Sequence, residues 1–191
     1  MKILIIDSGL AYGSAQGGLN HLLADTARET LEALGHKVQI TRLQDPYDPE
    51  KERQKILWTD AVIYQFPVWW MEPPAALKSY EDRVFGPGMI TGDGRHRDNP
   101  EYNYGTGGLL TEKRYMISAT WNAPRTAFTD PKEFFEGRGM DATFFGLHKA
   151  SQFLGMKPLP SFACNDVMKN PKTDSDLARW KEHLTRVFGK A

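Results

Sequence analysis

Residues 2–34 read KILIIDSGLAYGSAQGGLNHLLADTARETLEAL, which is a buried strand, a loop of small residues and an amphipathic helix in that order. Residues 3–6 form an uninterrupted apolar run, as in a strand that is covered on both faces. Leucine and alanine then recur at helical spacing from Leu19 to Leu34, and the repeat ends at Gly35. A strand that leads through a short loop into a helix is the repeating unit of an α/β fold.

The same alternation of strands and helices continues along the chain. The remaining predicted strands are residues 38–41, 61–66, 115–119 and 159–165. The remaining predicted helices are residues 48–58, a helix opened by Pro73 and Pro74, and residues 131–136, 141–153 and 174–188. Asp48 is the predicted cap of the second helix, because it precedes Pro49 at the first helical position.

Five strands that alternate with helices indicate an α/β fold, with a doubly wound five-stranded parallel sheet and helices on both faces. Right-handed crossovers favour the strand order 2-1-3-4-5. We expect residues 1–191 to form a single domain. In such sheets ligands bind at the carboxyl ends of the strands, so the loops after strands one, three and four are expected to carry the chemistry.

One segment interrupts the alternation. Residues 86–113 (GPGMITGDGRHRDNPEYNYGTGGLLTEK) contain seven glycines and no clear period. An insertion of this length in a compact domain is typical of a functional lid or binding loop, although a disordered surface loop is the alternative. Tyr102 and Tyr104 favour order, because aromatic residues are sparse in disordered segments.

Composition excludes several classes of function. Lys plus Arg and Asp plus Glu number 24 each, so no bulk charge favours nucleic acid or an anionic membrane as partner. The single cysteine, Cys164, excludes an intrachain disulfide and a multi-cysteine metal cluster, and we expect it to be a small apolar residue of strand five. No apolar run is long enough for a signal peptide or a membrane span, so we expect a cytoplasmic protein without an integral membrane segment.

The loop after strand one has the composition of a phosphate-binding loop. Ser8, Gly9, Gly13, Gly17 and Gly18 allow backbone N–H groups to approach a phosphate, and the start of the helix adds a favourable dipole. The pattern is neither G-x-G-x-x-G nor a Walker A motif. A plain strand-to-helix turn is the alternative.

Large aromatic side chains follow strands three and four. Trp69 and Trp70 are adjacent, and neighbouring side chains of an extended chain diverge, so at least one indole should line the crevice at the strand ends. Packing of both rings on a helix or on a dimer partner is the alternative. After strand four, the backbone and hydroxyl of the Thr120 turn can hydrogen-bond the polar edge of a heterocycle and stabilise negative charge on it.

Together these loops resemble the NAD(P)H:quinone oxidoreductase family of flavodoxin-like proteins. The shared strings include Leu19-Asn20, Trp69-Trp70-Met71, Tyr104-Gly105-x-Gly107-Gly108-Leu109, Thr120-Trp121-Asn122-Ala123-Pro124 and Gln152-Phe153-Leu154-Gly155-Met156. The resemblance covers essentially the whole chain. It implies FAD rather than FMN as cofactor, a homodimer, and two-electron reduction of quinones by NADPH.

The resemblance also implies the residues that contact FAD. They are Ala15, Gln16, Gly17, Gly18, Leu19, Asn20, His21 and Leu22 for the phosphates and ribityl chain, and Val68, Trp69, Trp70, Met71, Tyr104, Thr120, Trp121, Asn122 and Ala123 for the isoalloxazine ring. Val68 replaces a glycine that the family pattern leads us to expect, so a positive φ at this position is not expected.

A flavin would explain why the chain has no HExxH, CxxC, G-x-S-x-G or paired-carboxylate motif. We expect ping-pong catalysis, in which NADPH and then a quinone use the same face of the flavin. Tyr104 and His148 are the candidate proton donors, with a structural or surface role as the alternative for His148. We expect no metal site, and interpret His21, His36, His96 and His183 as solvent-facing or capping residues.

Two other classes of protein share the predicted fold. A flavodoxin-type electron carrier usually has a strongly acidic surface, which a net charge of zero does not favour. A non-flavin regulatory protein of this fold would need a phosphoacceptor aspartate at the end of strand three, where the chain has Gln65, Phe66 and Pro67.

Overall fold

A parallel sheet forms the centre of the molecule in the computed structural model, which describes residues 1–13 and 15–189. The strands are β1 Lys2–Asp7, β2 Lys37–Arg42, β3 Ala61–Pro67, β4 Arg114–Thr120, β5 Lys157–Pro158 and β6 Phe162–Cys164. Their order is β2-β1-β3-β4-β5, and β6 also pairs with β4, in line with β5. All of these pairs are parallel, which confirms the predicted order 2-1-3-4-5.

The fifth position of the sheet differs in detail from the prediction. Two short strands replace the single strand predicted over residues 159–165. Pro158 and Pro160 have no N–H to donate, so only Leu159 between them bonds inward, to the Tyr115 carbonyl at 2.7 Å. The ladder resumes where Phe162 pairs with Ser118.

Helices cover both faces of the sheet. They are α1 Gly18–Ala33, α2 Pro49–Trp58, α3 Ala75–Val84, α4 Thr126–Thr129, α5 Phe145–Phe153 and α6 Thr173–Phe188. A 3-10 turn over Asp141–Phe144 precedes α5. Ile3 and Ile5 of β1 pack with α1 and α6, whereas Leu4 and Ile6 pack on the side of α2, α3 and α5. The apolar run of β1 is therefore buried on both sides, as its sequence predicts.

The predicted start of the second helix is confirmed. The Asp48 carboxylate accepts the N–H of Glu50 at 2.9 Å, and Pro49 is the first helical residue. In contrast, the predicted helix over residues 131–136 is wrong, because that segment consists of turns. Its Phe135 N–H donates to the Ala127 carbonyl of α4 at 3.0 Å, and left-handed backbone at Glu136 (φ 56°) ends any helical path.

The insertion, residues 86–113, follows a defined path along the molecule. Ile90 bridges to Gly108, and Leu110 donates its N–H to the Leu154 carbonyl at 2.9 Å. Gly108 lies so close to the α5 terminus that a Cβ there would be 2.3 Å from the Gly155 nitrogen. Met89 and Leu110 are buried. These contacts favour the ordered alternative over a disordered loop.

Two of the histidines that the sequence predicts to be solvent-facing or capping are buried, and His36 has the capping role. The Met1 amino group donates to Nδ1 of His36 at 3.0 Å, and Nε2 of His36 donates to the Phe188 carbonyl at 2.9 Å, so His36 links Met1 to the end of α6. His183 on α6 is also buried. Cys164 is fully buried in β6 as predicted, and burial raises the pKa of its thiol to about 12.

Among the described helices, none is both long enough and apolar enough to span a bilayer. No grouping of three or more His, Cys, Asp or Glu side chains suited to a metal ion occurs in the part of the chain that the structure describes.

Candidate functional site at the carboxyl edge of the sheet

A crevice of about 310 Å³ opens where the carboxyl ends of the strands meet. Its lining comes from the loops after β1, β3, β4 and β6 and from the first turn of α1. The lining residues are Leu10, Ala15, Gln16, Gly17, Gly18, Leu19, Asn20, Pro67, Val68, Trp69, Thr120, Asn122, Val167 and Met168. Loops that are far apart in sequence therefore form one site, as the strand order requires.

Two glycines shape the side of the crevice at which the sequence predicts phosphate binding. Gly17, which precedes α1, has a φ of 72°, in the left-handed region. A Cβ on Gly17 would be 2.9 Å from the Gly9 carbonyl carbon, so the two ends of the loop touch through their backbones. This packing holds the start of α1, with its outward-facing N–H groups and positive dipole, at the edge of the crevice. Ser14 of the same loop lies outside the described residues.

The buried carboxylate of Asp7 stabilises the loop after β1. Asp7, at the end of β1, accepts the Gly9 N–H at 2.8 Å and is 2.6 Å from Nδ1 of His21. The Arg42 Nε lies 3.4 Å from the same carboxylate. The imidazole of His21 is thus directed at Asp7 and away from the crevice, so His21 supports the loop instead of lining the site as predicted.

The floor of the crevice is a polar network. Gln65 donates its amide N–H to Oδ1 of Asn20 at 2.9 Å, and Asn20 donates to Oγ1 of Thr120 at 3.2 Å. All three side chains are buried. Among the described residues, the side-chain Oε1 of Gln65 has no hydrogen-bond partner. Asn20 and Thr120 of this network line the crevice, and the buried Gln65 holds the Asn20 amide from behind.

The two adjacent tryptophans diverge as predicted. Trp69 lines the crevice, and its ring lies 4.8 Å from that of Tyr12, whereas Trp70 is 89% exposed. Left-handed backbone occurs at Trp70 (φ 51°) and Met71 (φ 70°), and not at Val68. Val68 instead donates its N–H to the Thr120 carbonyl at 3.0 Å and joins the loops after β3 and β4. Two non-glycine residues in this conformation mark a constrained loop.

The loop after β4 reaches the crevice only in part. Asn122 lines it, but the Trp121 side chain is buried among Phe128, Phe135 and Phe144, with ring distances of 4.8 to 5.6 Å. The backbone N–H of Trp121 donates to the Cys164 carbonyl at 2.8 Å, so Trp121 supports the loop and does not line the crevice. Ala123 lies outside the lining, and its carbonyl accepts the Asp166 N–H at 3.1 Å.

The two predicted proton donors are not brought to the crevice. Tyr104 is 70% exposed and packs against Phe153 at 5.6 Å. His148 has its Nδ1 2.8 Å from the Tyr115 hydroxyl, near the amino end of β4 and therefore opposite to the crevice. Leu22 and Met71 are exposed and also lie outside the lining.

Several lining residues were not predicted. Val167 and Met168 follow β6, and the Val167 N–H donates to the Trp121 carbonyl at 3.1 Å. The rule that all carboxyl ends of a parallel sheet meet at one edge would have placed them there. Gln65 and Tyr12 do not line the crevice but contact the lining residues Asn20 and Trp69, and the sequence carries no signal for these supporting roles.

Comparison with known proteins identifies the family. The family model described as having the flavodoxin-like fold matches residues 1–186. The chain belongs to the flavodoxin-like family. It is 49% identical to the NADPH:quinone oxidoreductase MdaB of Haemophilus influenzae, over 99% of this chain and 100% of that protein. It is 52% identical to an uncharacterized protein of Schizosaccharomyces pombe, over 100% of this chain and 99% of the relative.

Solved structures agree with this assignment. A crystal structure from Klebsiella pneumoniae, provisionally assigned as a quinone reductase, superposes with a TM-score of 0.72 at 25% identity and covers 97% of this chain and 83% of its own. An FMN-dependent NADH-azoreductase of Bacillus anthracis superposes with a TM-score of 0.68 at 14% identity, over 99% of this chain and 100% of its own, which shows a shared fold.

Proposed function

We propose that the chain is an FAD-dependent NADPH:quinone oxidoreductase that acts as a cytoplasmic homodimer. The observation that carries this proposal is the crevice with an indole wall and a polar floor at the carboxyl edge of the sheet. The full-length similarity to the Haemophilus influenzae quinone oxidoreductase supports the same reaction.

The residues of the crevice fit a flavin. The close-packed turn at Gly17 and the start of α1 would hold phosphate oxygens through backbone N–H groups. Val68, Trp69 and Asn122 would hold the planar ring, with the indole against an apolar edge and backbone groups at polar atoms. When bound, the flavin supplies the acceptance and donation of a hydride equivalent.

The protein's own contribution is orientation and access. The network of Gln65, Asn20 and Thr120 fixes the donors and acceptors below the ring before any ligand arrives. Trp70 and Met71, exposed beside the crevice, would border the face at which NADPH and then a quinone bind in turn. The sequence has no motif for a side-chain nucleophile or a metal, which is compatible with a protein that orients its ligands while the flavin carries the hydride chemistry.

The positions of Tyr104 and His148 decide which of them we propose as the proton donor. Tyr104 lies outside the crevice of its own subunit, on the exposed insertion, so we propose that it completes the site of a partner subunit. His148 is engaged with Tyr115 at the far end of β4, which favours the structural alternative for this residue.

Analysis of the released cofactor tests the proposal. Heat-denatured protein should release one FAD per subunit on chromatography, and initial rates at several fixed NADPH concentrations should give parallel double-reciprocal lines against quinone. FMN as the sole released flavin would contradict the cofactor assignment. Intersecting lines would contradict the ping-pong order, and purified protein without flavin or activity would contradict the function itself.

A further inference from the structure

A second cavity, of about 430 Å³, lies at the β6 edge of the sheet and takes no part in the crevice. Its walls are α4 and the following turns on one side and α6 on the other. Three arginines line it, Arg125, Arg179 and Arg186, against one acidic residue, Glu182. Since the whole chain has a net charge of zero, this excess of positive charge is local.

The three guanidinium groups differ in how their charge is compensated. Arg179 is paired with the Asp176 carboxylate at 2.6 Å and also donates to the Ala163 carbonyl at 3.0 Å. Arg125, within the described residues, has no side-chain hydrogen bond or ion pair. Its charge is therefore uncompensated, and its side chain is free to meet a ligand.

Arg186 is held in place without being neutralised. It donates from Nη2 to Nδ1 of His183 at 2.9 Å, and Nε2 of His183 donates to the Pro160 carbonyl at 2.9 Å. Burial lowers the pKa of His183, so the ring stays neutral and can accept the arginine N–H. Arg186 thus keeps its full positive charge in a fixed position.

The arginine cavity and the crevice have no lining residue in common, but two loops lead from one toward the other. A neighbouring cavity of about 370 Å³ shares Arg125, Asn165 and Arg179 with it. That neighbouring cavity also contains Pro124 and Asp166, which are close in sequence to the crevice residues Asn122 and Val167. A long anionic ligand seated at the crevice would follow these loops to reach the arginines.

We propose that Arg125 and Arg186 bind the 2′-phosphate of NADPH and so select NADPH over NADH, an inference that rests on the proposed function. A phosphate monoester carries a charge of about −1.5 to −2 at neutral pH, which two uncompensated guanidinium groups match, and arginine binds phosphate oxygens in a bidentate manner. NADH has a hydroxyl group at that position and would leave both charges unmatched. NADH carries the same pyrophosphate as NADPH, so only the 2′-phosphate distinguishes the two, and the FAD pyrophosphate is proposed to bind elsewhere, at the start of α1.

A binding measurement tests the inference without turnover. Calorimetric titration of the flavin-loaded protein with adenosine 2′,5′-bisphosphate and with adenosine 5′-monophosphate should show tighter binding of the bisphosphate. Arg125→Ala and Arg186→Ala should each weaken bisphosphate binding by about tenfold and leave the monophosphate unchanged, since a charge-assisted contact is lost. In steady-state assays, kcat/KM for NADPH should fall by a similar factor, with that for NADH unchanged.

Arg28→Ala is the matched control, because Arg28 lies on α1 and pairs with Asp25 at 3.2 Å, away from the cavity. Arg125 is exposed and unbonded, so its variant should fold normally. Equal binding of the bisphosphate by the wild type and both variants would overturn the inference, as would an equal loss for both nucleotides. Reduced FAD content in the variants would assign the arginines to the flavin phosphates instead. Protein that reduces no quinone but shows the expected titration would contradict the proposed function alone.

Discussion

At the scale of single residues, two tryptophans have different roles, one at the crevice and one in the hydrophobic core. Trp69 lines the crevice, whereas Trp180 is fully buried on α6 and donates its indole N–H to the Leu23 carbonyl at 3.0 Å. We expect Trp69→Ala to weaken flavin binding or quinone turnover with a small loss of stability. We expect Trp180→Ala to cost about 3–5 kcal/mol of unfolding free energy, because it removes a large core side chain.

Flavin titration and thermal melting of both variants distinguish these effects. Trp70→Ala serves as an intermediate case, since Trp70 is exposed beside the crevice and its loss should affect turnover more than melting temperature. If the Trp69 and Trp70 variants lost stability and kept full flavin affinity and rate, both indoles would be packing residues only.

A buried acid on α3 makes stability depend on pH. Glu81 lies 3.7 Å from Lys78 and borders a cavity lined by apolar residues such as Leu77 and Leu147, and its Oε1 has no partner among the described residues. Burial raises its pKa from 4.5 to about 7. The folded state therefore holds this proton more tightly than the unfolded state does, and stability falls as pH rises from about 4.5 to about 7.

Glu81→Gln should remove that dependence. At pH 8 we expect the variant to be more stable than the wild type by about 3–3.5 kcal/mol, since each unit of pKa shift corresponds to about 1.4 kcal/mol. At pH 4.5 the difference should nearly vanish. Urea unfolding at both pH values measures this difference in stability. Glu32→Gln is the control, because Glu32 is an exposed residue of α1. An equal difference at the two pH values would show that Glu81 is ionised in the folded protein.

At the scale of elements, the two ends of α1 offer a matched comparison. Gly17 before the helix and Gly35 after it both have positive φ, at 72° and 85°. An added Cβ would meet Gly9 at position 17 and nothing within 4 Å at position 35. Both alanine variants should lose about 1–2 kcal/mol from backbone strain. Only Gly17→Ala should also reduce FAD affinity, because it pushes the loop after β1 out of place.

Equilibrium dialysis with FAD and urea unfolding of the two variants provide the comparison. Unchanged FAD affinity in Gly17→Ala would mean that the loop after β1 does not hold the phosphates.

Elements with a strong local signal could be predicted from the sequence, and those set by tertiary contacts could not. The apolar run of β1 and the capping Asp48 identify their elements directly. The segment 131–136 has helix-forming composition, yet it forms turns, and its Phe135 N–H donates to the Ala127 carbonyl of α4. Trp121 looked like a site residue because of its neighbours, but three phenylalanines bury its ring. His148 could be placed on a helix, but not at a particular end of the sheet.

At the scale of the whole molecule, the exposed apolar side chains predict a dimer. The large exposed residues near the crevice loops, the insertion and the start of α5 are Trp70, Met71, Tyr102, Tyr104, Leu109 and Phe145. A second subunit related by a twofold axis would cover such side chains at both sites. Light scattering should give twice the subunit mass of 21.6 kDa.

Activity during dilution tests whether the partner completes the site. Specific activity should fall together with the dimer fraction as the protein is diluted. A monomer that kept FAD and full specific activity at low nanomolar concentration would show that each subunit works alone.

The broken fifth strand also influences how copies of the chain meet one another. Pro158 in β5 and Pro160 after it have no N–H to donate at the outer edge of the sheet. In β6, the Ala163 carbonyl already accepts a hydrogen bond from Arg179. An approaching strand would find few groups to pair with there, and such blunted edges protect proteins from amyloid-like stacking. At high concentration or during synthesis, copies of the chain should therefore aggregate less readily through the β5 and β6 edge of the sheet.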